Sequence, residues 1–372
     1  MAAFNRRQWL KTAGAAGAFA FLGSAEALAH PGPALTDVLL PPQGPVRLSL
    51  NENPYGPSQK VKQAISDAFS DMYRYPYDLM PEVVGMLAQK HGVPADHIVL
   101  TVGSGEGLKA AGLAYGQHGN EIIAAQPTFL ALMDYARVFG AYIHDVPLDK
   151  DLVHDLDAME RRITQRTSLI FVCNPNNPTG TILSAERMRD FCSRISERTV
   201  VFADEAYFDY INEPNYPSMV ELVKQGMNVI VSRTFSKIYG MAGIRVGYLI
   251  ARPDIAKRLR DHTMASVSIP ALAAAKAALS DTDFRDFSLR KNAEALDIIY
   301  KTLDEMNLRY VRSHANFVFF DSKRNIQDVN TLMQEKGFLV GRPFPPLNTW
   351  CRVSTGKTDD IKNFAKALKE LA

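Results

Sequence analysis

Seven short apolar segments separated by helical patterns occupy the first two thirds of this 372-residue chain, and they constrain its fold more than any other feature. The segments span residues 97–102, 121–125, 141–146, 168–173, 200–203, 228–231 and 246–251. Strands that alternate with helices at this spacing are typical of a mostly parallel sheet covered by helices on both faces. The sequence therefore predicts an α/β fold for this part of the chain.

The last third has a different pattern, which predicts a smaller α+β domain. Helical patterns cover 271–279, 282–306 and 358–371, and short strand patterns cover 316–320, 338–340 and 350–354. Ser58 is a candidate N-cap for the first helix of the larger domain. The expected organisation is a signal peptide over 1–29, an N-terminal arm over 30–57, a large domain over 58–265 and a small C-terminal domain over 266–372.

The first 29 residues have the pattern of an export signal. Arg6 and Arg7 precede a weakly apolar stretch rich in Ala and Gly that closes with Ala27-Leu-Ala29. This pattern predicts a twin-arginine signal cleaved before His30, use of the twin-arginine export machinery and a periplasmic or secreted protein. The stretch is far shorter than the roughly 20 residues of a membrane span, so no membrane anchor is predicted. A frayed basic terminus or a mitochondrial presequence is the alternative, and an unused signal would leave the protein cytoplasmic.

The composition favours small-molecule partners. A net charge of +2, with 22% charged residues and no block of like charges, is too mild to indicate binding to nucleic acid or to an anionic membrane. Cys173, Cys192 and Cys351 have no paired spacing, so core thiols are expected rather than disulfides or a zinc site. The sequence has no His-Glu-x-x-His, Gly-x-Ser-x-Gly or Walker motif, and no metal site is predicted.

Polar motifs follow four of the apolar segments at the point where each predicted strand ends. They are Gly103-Ser-Gly-Glu-Gly107, Asn174-Pro-Asn-Asn-Pro-Thr-Gly180, Asp204-Glu-Ala-Tyr207 and the loop that carries Lys237. Open α/β sheets bind ligands in the crevice outside the carboxyl ends of their strands. We therefore expect the four motifs to meet in one site.

Lys237 is the most informative residue of these motifs. A lysine in a small, glycine-punctuated loop after a strand suggests covalent chemistry, because a primary amine with a lowered pKa can form a Schiff base with a carbonyl cofactor and then move protons. Arg245, eight residues downstream, would suit a phosphate. The glycine loop at 103–107 could cradle the same phosphate, although Leu108 breaks the dinucleotide-binding spacing.

Together these motifs resemble those of the aminotransferase class I and II group of enzymes, fold type I, and within it the histidinol-phosphate aminotransferase subfamily. The resemblance runs from about Leu48 to the C-terminus. It implies pyridoxal 5'-phosphate (PLP) as cofactor, a large domain with a mostly parallel sheet, a smaller α+β domain, and a homodimer with shared active sites.

The resemblance also implies roles for individual residues. Lys237 would be the Schiff-base lysine and Asp204 the partner of the pyridine nitrogen. Tyr207, the third catalytic residue, and Asn177 would hydrogen-bond the 3-oxygen of the cofactor. The cofactor-binding set is Ser104, Gly105, Glu106, Phe129, Asn177, Asp204, Tyr207, Thr234, Ser236, Lys237, Arg245 and Tyr55. Arg352, Arg342 and Asn53 would contact the substrate, with Arg352 on an acidic group and Arg342 on a distal phosphate.

Several of these residues have ordinary structural alternatives. Asp204 could be a helix N-cap, Phe129 a core aromatic, Tyr55 a turn residue that packs locally, and Arg342 a solvated surface arginine. In the resembled family, the tyrosine that Tyr55 matches reaches the cofactor phosphate of the neighbouring subunit. Phe129 lacks the hydroxyl that many relatives carry at this position.

The implied reaction moves an amino group from an amino acid, or an analogue such as histidinol phosphate, to a 2-oxo acid. Two alternatives stay open at this point. One is a PLP-dependent decarboxylase like the threonine-phosphate decarboxylases, and the other is a non-catalytic protein that binds PLP or an amino acid. Lys237, Asp204 and Arg352 together argue against the non-catalytic alternative. Because a cytosolic histidine pathway would have no evident use for an exported enzyme, an α-amino acid or a close analogue is the favoured donor, with histidinol phosphate as a lesser candidate.

Overall fold

A central sheet with helices on both faces organises the structure, a computed structural model that describes residues 44–371. Its strands and those of two smaller sheets are β1 (Val46–Arg47), β2 (Ile98–Thr101), β3 (Glu121–Gln126), β4 (Tyr142–Pro147), β5 (Thr167–Cys173), β6 (Val200–Asp204), β7 (Val229–Thr234), β8 (Gly247–Ala251), β9 (Tyr310–Val311), β10 (Phe317–Asp321), β11 (Phe338–Leu339) and β12 (Trp350–Ser354).

The helices alternate with these strands. They are α1 (Gln59–Asp67), α2 (Leu79–His91), α3 (Ser104–Gly116), α4 (Ala131–Val138), α5 (Leu156–Arg161), α6 (Ala185–Ser196), α7 (Val220–Lys224), α8 (Pro253–Arg260), α9 (Ile269–Leu279), α10 (Thr282–Glu305), α11 (Ile326–Glu335) and α12 (Thr358–Lys369). Short 3₁₀ turns cover Ala68–Asp71, Ala95–His97 and Phe208–Tyr210.

The large sheet has the order β2-β8-β7-β6-β5-β3-β4. The run from β7 through β4 is parallel, and only β8 runs antiparallel to its two neighbours. Successive residues of β3 enter different cores, because Ile122 packs into one apolar cluster and Ile123 into the other. A strand is buried on both sides when helices cover both faces of its sheet. The predicted α/β fold with a mostly parallel sheet is confirmed.

The C-terminal part of the chain has its own sheet, in the antiparallel order β12-β10-β9. Its core contains Leu48 together with side chains of α10, α12 and β10. The N-terminal segment joins this part, since β1 pairs in parallel with β11. The residues from Pro45 onward form one compact unit, and the domain boundary expected after residue 265 stays a prediction.

The predicted elements agree with the observed ones to within a few residues. All seven apolar segments form strands of the large sheet, and 350–354 forms β12 with the expected bounds. Ser58 is the N-cap of α1, because its side chain accepts a hydrogen bond from the Val61 amide at 3.2 Å. The short strands β1 and β9 and helix α11 were not predicted.

Two sequence predictions fall partly or wholly outside the described residues. The twin-arginine signal over 1–29 lies outside them, and so does the arm up to residue 43. Within 44–371, no helix is both long and apolar enough to cross a membrane. The three cysteines are buried free thiols, as expected.

Candidate active site

The loops at the carboxyl ends of the parallel strands enclose a cavity of about 520 Å³. Arg342 and Arg352, from the C-terminal part of the chain, also line it. Twelve of the sequence-predicted site residues lie in its wall: Ser104, Gly105, Phe129, Asn177, Asp204, Tyr207, Thr234, Ser236, Lys237, Arg245, Arg342 and Arg352. The strand order explains this convergence, since parallel strands bring their following loops to one edge of the sheet.

Lys237 extends from the loop after β7 into the cavity. Its Nζ donates to the backbone carbonyl of Asn51 at 3.0 Å and lies 5.5 Å from the centre of the Tyr207 ring. Burial lowers the pKa of this amine to about 8, and the nearby positive charge of Arg352 acts in the same direction. A substantial share of the amine is therefore unprotonated at mildly alkaline pH, which a nucleophile and base requires.

Asp204 is the last residue of β6 and is only 3% exposed. Its Oδ1 accepts from the Ala206 amide at 3.3 Å. Burial raises the pKa of this carboxyl to about 7. The hydrogen bond from Ala206 offsets only part of the cost of burying this carboxylate. A cationic N–H group that enters the cavity would stabilise its ionised form.

Tyr207, Asn177 and Arg352 form one wall of the cavity. Arg352 donates to Asn177 Oδ1 and to the Ser49 carbonyl, each at 2.5 Å. The Tyr207 ring packs edge-on against Phe317 at 5.2 Å between ring centres. Burial raises the pKa of the Tyr207 phenol above its ordinary value, so the hydroxyl keeps its proton at neutral pH.

Another part of the cavity wall is a cationic, amide-rich cradle. Helix α3 begins at Ser104 with Gly103 as its N-cap, and no side chain caps its first amides. The Arg245 guanidinium lies beside them, where a Cβ at Gly103 would overlap it. The hydroxyl-bearing residues Thr234 and Ser236 complete the cradle. Uncapped amides at a helix N-terminus together with a guanidinium form an anion site, which fits a phosphate group.

Aromatic and cationic side chains also contribute to the cavity wall and its surroundings. Phe129 is 38% exposed, so its ring has a face that is free to contact a ligand. Arg342 donates to the Pro343 carbonyl at 2.9 Å, and its guanidinium lies 4.4 Å from the centre of the Phe344 ring. The Arg352 guanidinium lies 5.1 Å from the same ring centre. Two cationic groups thus border one buried aromatic ring.

Three predicted site residues lie outside this cavity. The Glu106 carboxylate accepts from the amides of Val102, Met264 and Ala265, so it connects the start of α3 to the loop after α8. Asn53 donates to the Ile238 carbonyl and to Ser288. Tyr55 packs edge-on against Phe287, with 5.1 Å between ring centres. For Glu106 and Asn53, hydrogen bonds to distant segments of the chain explain why the side chain does not reach the site of its own chain.

Sequence reasoning missed seven residues of the cavity wall. They are Ser49, Leu50, Asn51, Cys173, Ala206, Ala242 and Val340. Ala206 and Ala242 carry no functional group that a motif search detects. The polar run Ser49-Leu-Asn-Glu-Asn53 was a usable signal, but its proximity to Lys237 depends on β1 pairing with β11, which no local pattern predicts.

The arrangement fits pyridoxal 5'-phosphate. The amine of Lys237 would hold its carbonyl, Asp204 its ring nitrogen, the cradle its phosphate, and Phe129 its ring face. The absence of a side chain at Gly103 supports this assignment, because it leaves Arg245 room beside the helix amides. Within residues 44–371, no cluster of three or more His, Cys, Asp or Glu side chains is placed to hold a metal ion.

Comparisons with known proteins point to the same chemistry. The family model described as aminotransferase class I and II matches residues 43–368. Histidinol-phosphate aminotransferases from Moorella thermoacetica and Caldicellulosiruptor saccharolyticus are 38% and 36% identical, over 88% of this chain and 85% and 91% of theirs. The histidinol-phosphate aminotransferase of Sinorhizobium meliloti, solved with pyridoxal-5'-phosphate, superposes with a TM-score of 0.81 at 27% identity, covering 88% of this chain and 92% of that one.

Proposed function

The chain belongs to the aminotransferase class I and II family, and from this membership we propose that it moves an amino group from an anionic amino donor, an amino acid or an amino phosphate such as histidinol phosphate, to a 2-oxo acid. It is a PLP-dependent aminotransferase. When bound, the cofactor supplies a carbonyl that takes up the amino group and a ring that accepts the electron pair of the substrate Cα.

The side chains of this protein have separable tasks in that reaction. Lys237 is the only lysine among the described residues that lines the cavity, and its amine takes the proton from the substrate Cα and returns a proton later. Asp204 stabilises positive charge at the ring nitrogen, since its carboxylate is buried and no cation among residues 44–371 forms a salt bridge with it. Arg352 orients the substrate so that the Cα proton faces Lys237.

The preference for an anionic donor depends on one observation. Arg342 and Arg352 both line the cavity with Lys237 and border the same Phe344 ring. Their guanidinium hydrogen bonds go to carbonyl and amide oxygens, and no carboxylate of the described residues pairs with either. Two neighbouring cations without a counter-charge attract an anionic substrate. The pKa of Arg352 is lowered to about 10, mainly by burial, and the guanidinium stays charged at neutral pH.

Amino donors with and without an anionic group test the proposal. The purified PLP-loaded protein is mixed with histidinol phosphate, histidinol, histidine or phenylalanine, and the absorbance of the cofactor is followed through one half-reaction. We expect conversion to pyridoxamine phosphate with donors that carry a phosphate or carboxylate, and much slower conversion with histidinol. Equal rates for histidinol and histidinol phosphate would contradict the role of the two arginines. Carbon dioxide release from an amino acid donor would instead identify a decarboxylase.

Arg342 provides a variant that separates the two kinds of donor. Arg342→Leu should lower kcat/KM for histidinol phosphate by about tenfold to a hundredfold, the scale of one charge-assisted contact, and change histidine much less. Arg290→Leu is a surface control outside the cavity. A uniform loss with every donor would assign Arg342 to folding or to the shape of the cavity.

The proposal includes a homodimer. Four aromatic side chains near the 3₁₀ turn after α1 are largely exposed: Phe69, Tyr73, Tyr75 and Tyr77, at 62%, 77%, 79% and 70%. Exposed apolar patches of this kind mark contact surfaces. Tyr55 also lies outside the cavity of its own chain. This position agrees with its expected family role, which is a contact with the neighbouring subunit. Sedimentation of the loaded protein should give twice the chain mass, and Tyr75→Asp combined with Tyr77→Asp should shift it toward monomer.

Export through the twin-arginine pathway is also part of the proposal. Its support is the Arg6-Arg7 pair and the following Ala- and Gly-rich stretch in the sequence. Replacing both arginines with lysine in the full chain should retain the protein in the cytoplasm, whereas the unaltered chain should be found in the periplasm. Cytoplasmic accumulation of both would refute the signal assignment without affecting the catalytic proposal.

A further inference from the structure

Asn51 is a buried residue that connects Tyr207 and Lys237 in the active site. It is 1% exposed and lies in the cavity wall between the N-terminal segment and the loop after β7. Its side chain contacts Tyr207, and its backbone carbonyl contacts Lys237. A single residue therefore touches both Tyr207 and Lys237.

The hydrogen bonds of Ser354 determine which way the Asn51 side chain faces. The Asn51 backbone amide donates to Ser354 Oγ at 2.8 Å, and this hydroxyl donates to Asn51 Oδ1 at 3.1 Å. The oxygen of the side chain is therefore held on β12. The Nδ2 group is left facing Tyr207, to whose hydroxyl oxygen it donates at 2.9 Å.

The contact with Tyr207 has a directional consequence. An amide nitrogen is a donor only, so the Tyr207 oxygen accepts this hydrogen bond and its own hydrogen must lie in another direction. Tyr207 lines the cavity, and its ring is fixed edge-on against Phe317. The phenol hydrogen is thus left to donate to an acceptor inside the cavity.

The backbone of Asn51 explains how its carbonyl also reaches the site. Its φ is 54°, in the left-handed region that asparagine adopts more readily than most residues other than glycine. In this conformation the carbonyl accepts from Lys237 Nζ at 3.0 Å and from Asn316 Nδ2 at 3.1 Å. Asn316 therefore holds the same carbonyl from the start of the β10 region.

From this geometry we infer that Asn51 is a positioning residue of the active site: its amide directs the hydroxyl hydrogen of Tyr207 into the cofactor cavity, and its carbonyl holds the amine of Lys237. This inference rests on the PLP site but not on the identity of the amino donor. Its test needs no substrate, and so it can fail independently of the proposed donor.

The charged groups that face Tyr207 and Lys237 are Glu52, Asp204, Arg245 and Arg352. None of their side chains is hydrogen-bonded to Asn51. Replacing Asn51 with glycine therefore removes the amide without altering any charge. Asn51→Gly also suits the left-handed backbone and keeps the carbonyl that accepts from Lys237.

The test is a pH titration of the absorbance of the PLP-loaded protein. A hydrogen bond to an oxygen anion favours the ionised form and lowers its pKa. If Tyr207 donates to the 3-oxygen of the cofactor, weakening that bond should raise the titration midpoint. We expect a rise of about one pH unit in Asn51→Gly, the effect of losing one hydrogen bond to a charged group. Asn51→Asp should raise it further, because a carboxylate would draw the Tyr207 hydrogen away.

Two further variants distinguish positioning from general stability. Ser354→Ala keeps the Asn51 side chain but removes the hydrogen bond that orients its amide group. The titration midpoint should therefore rise by less than in Asn51→Gly. Asn307→Gly is the matched control, because Asn307 also has a left-handed backbone (φ 50°) but lies on the surface after α10. Its midpoint should equal that of the unaltered protein.

The outcome that overturns the inference is a midpoint that stays unchanged in Asn51→Gly and Ser354→Ala while both still bind PLP. If Asn51→Gly does not bind the cofactor, Ser354→Ala alone decides. In the cofactor-free protein, the pH at which the Lys237 amine becomes reactive toward acetic anhydride should stay the same in Asn51→Gly, since the carbonyl remains. A shift there would assign the effect to a displaced backbone and would likewise overturn the side-chain role.

Discussion

The Arg245 guanidinium lies so close to Gly103 that a Cβ at position 103 would overlap it. Gly103 also has a φ of 75°, which disfavours any L side chain there. Both facts concern the N-terminus of α3, where the phosphate cradle is formed. The glycine is therefore needed for the backbone turn and for the position of the guanidinium.

We predict that Gly103→Ala weakens PLP binding by about tenfold or more, equivalent to roughly 1.4 kcal/mol, because Arg245 must move. Gly119→Ala is a matched control: its φ is 71°, but nothing lies within 4 Å of the added Cβ. Both variants should lose about 1 kcal/mol of folding stability through backbone strain. Equilibrium titration of the apoproteins with PLP measures the difference, and equal affinities would argue against the cradle.

Lys237→Ala should abolish covalent attachment of the cofactor, because no other lysine among the described residues lines the cavity. Reduction with borohydride followed by peptide mass spectrometry detects the attachment. Full retention of transaminase activity in Lys237→Ala would refute the assignment of the site. Lys62→Ala, on the exposed face of α1, serves as the control.

The reactivity of the same amine should depend on pH in a predictable way. Its pKa is lowered to about 8, so acetylation of Lys237 in the cofactor-free protein should reach half its maximum rate near that pH. Replacing Arg352 with glutamine removes a positive charge and should raise this midpoint. A lower midpoint in Arg352→Gln would contradict the electrostatic explanation.

Asp204→Asn should slow the amino-transfer half-reaction by roughly a hundredfold or more, the scale for removing one electrostatic group from a dry site. The same variant should stabilise the apoprotein. The pKa of Asp204 in the folded protein is raised to about 7, so the folded state loses stability relative to the unfolded state as the pH rises from about 4 to about 7. At pH 8 the free energy of unfolding of the Asp204→Asn apoprotein should exceed that of the unaltered apoprotein by up to about 4 kcal/mol, since each pKa unit corresponds to about 1.36 kcal/mol.

Denaturant unfolding of the apoproteins at pH 4 and pH 8 measures this effect. Asp190→Asn, on the exposed face of α6, is the control and should unfold like the unaltered protein at both pH values. If Asp204→Asn gives the same change at pH 4 as at pH 8, the carboxyl does not titrate in this range.

His154 should make the protein sensitive to acid. It is 2% exposed, its Nε2 has no hydrogen-bond partner among the described residues, and burial lowers its pKa to about 4. Between pH 6.5 and 4 the unfolded chain binds a proton there that the folded chain does not. Stability is therefore complete above pH 6.5 and falls by about 3 kcal/mol as the pH drops to 4.

His154→Leu should flatten this part of the stability profile, whereas His97→Gln at a more accessible histidine should not. His91 remains in both variants and has a pKa lowered to about 3, mainly by burial, so some acid sensitivity will persist. Unfolding free energies at several pH values between 4 and 7 measure the difference. Parallel profiles for His154→Leu and the unaltered protein would exclude His154 as the cause.

Much of the fold followed from local patterns. Apolar runs bounded by polar turns predicted every strand of the large sheet, because burial on both faces leaves almost no polar position inside a strand such as β8. The cavity residues at strand ends were predictable for a related reason. Parallel strands deliver their following loops to one edge, so Asp204 and Lys237 must meet whatever the details of packing.

Side-chain direction was decided by tertiary contacts. Glu106 lies in a predicted phosphate loop, yet three amides, two of them more than 150 residues away, turn its carboxylate outward. Asn51 was missed for the converse reason: its place beside Lys237 depends on hydrogen bonds to Ser354 and Asn316, about 300 and 265 residues later in the chain.

The sequence by itself determined which strands form the large sheet and which chemical groups collect at its carboxyl edge, because hydrophobic period and strand direction are local properties. Only the tertiary structure decided which of those groups enter the cavity. Hydrogen bonds between distant segments set the direction of each side chain, and burial among them sets the pKa values on which the chemistry of Lys237 and Asp204 depends.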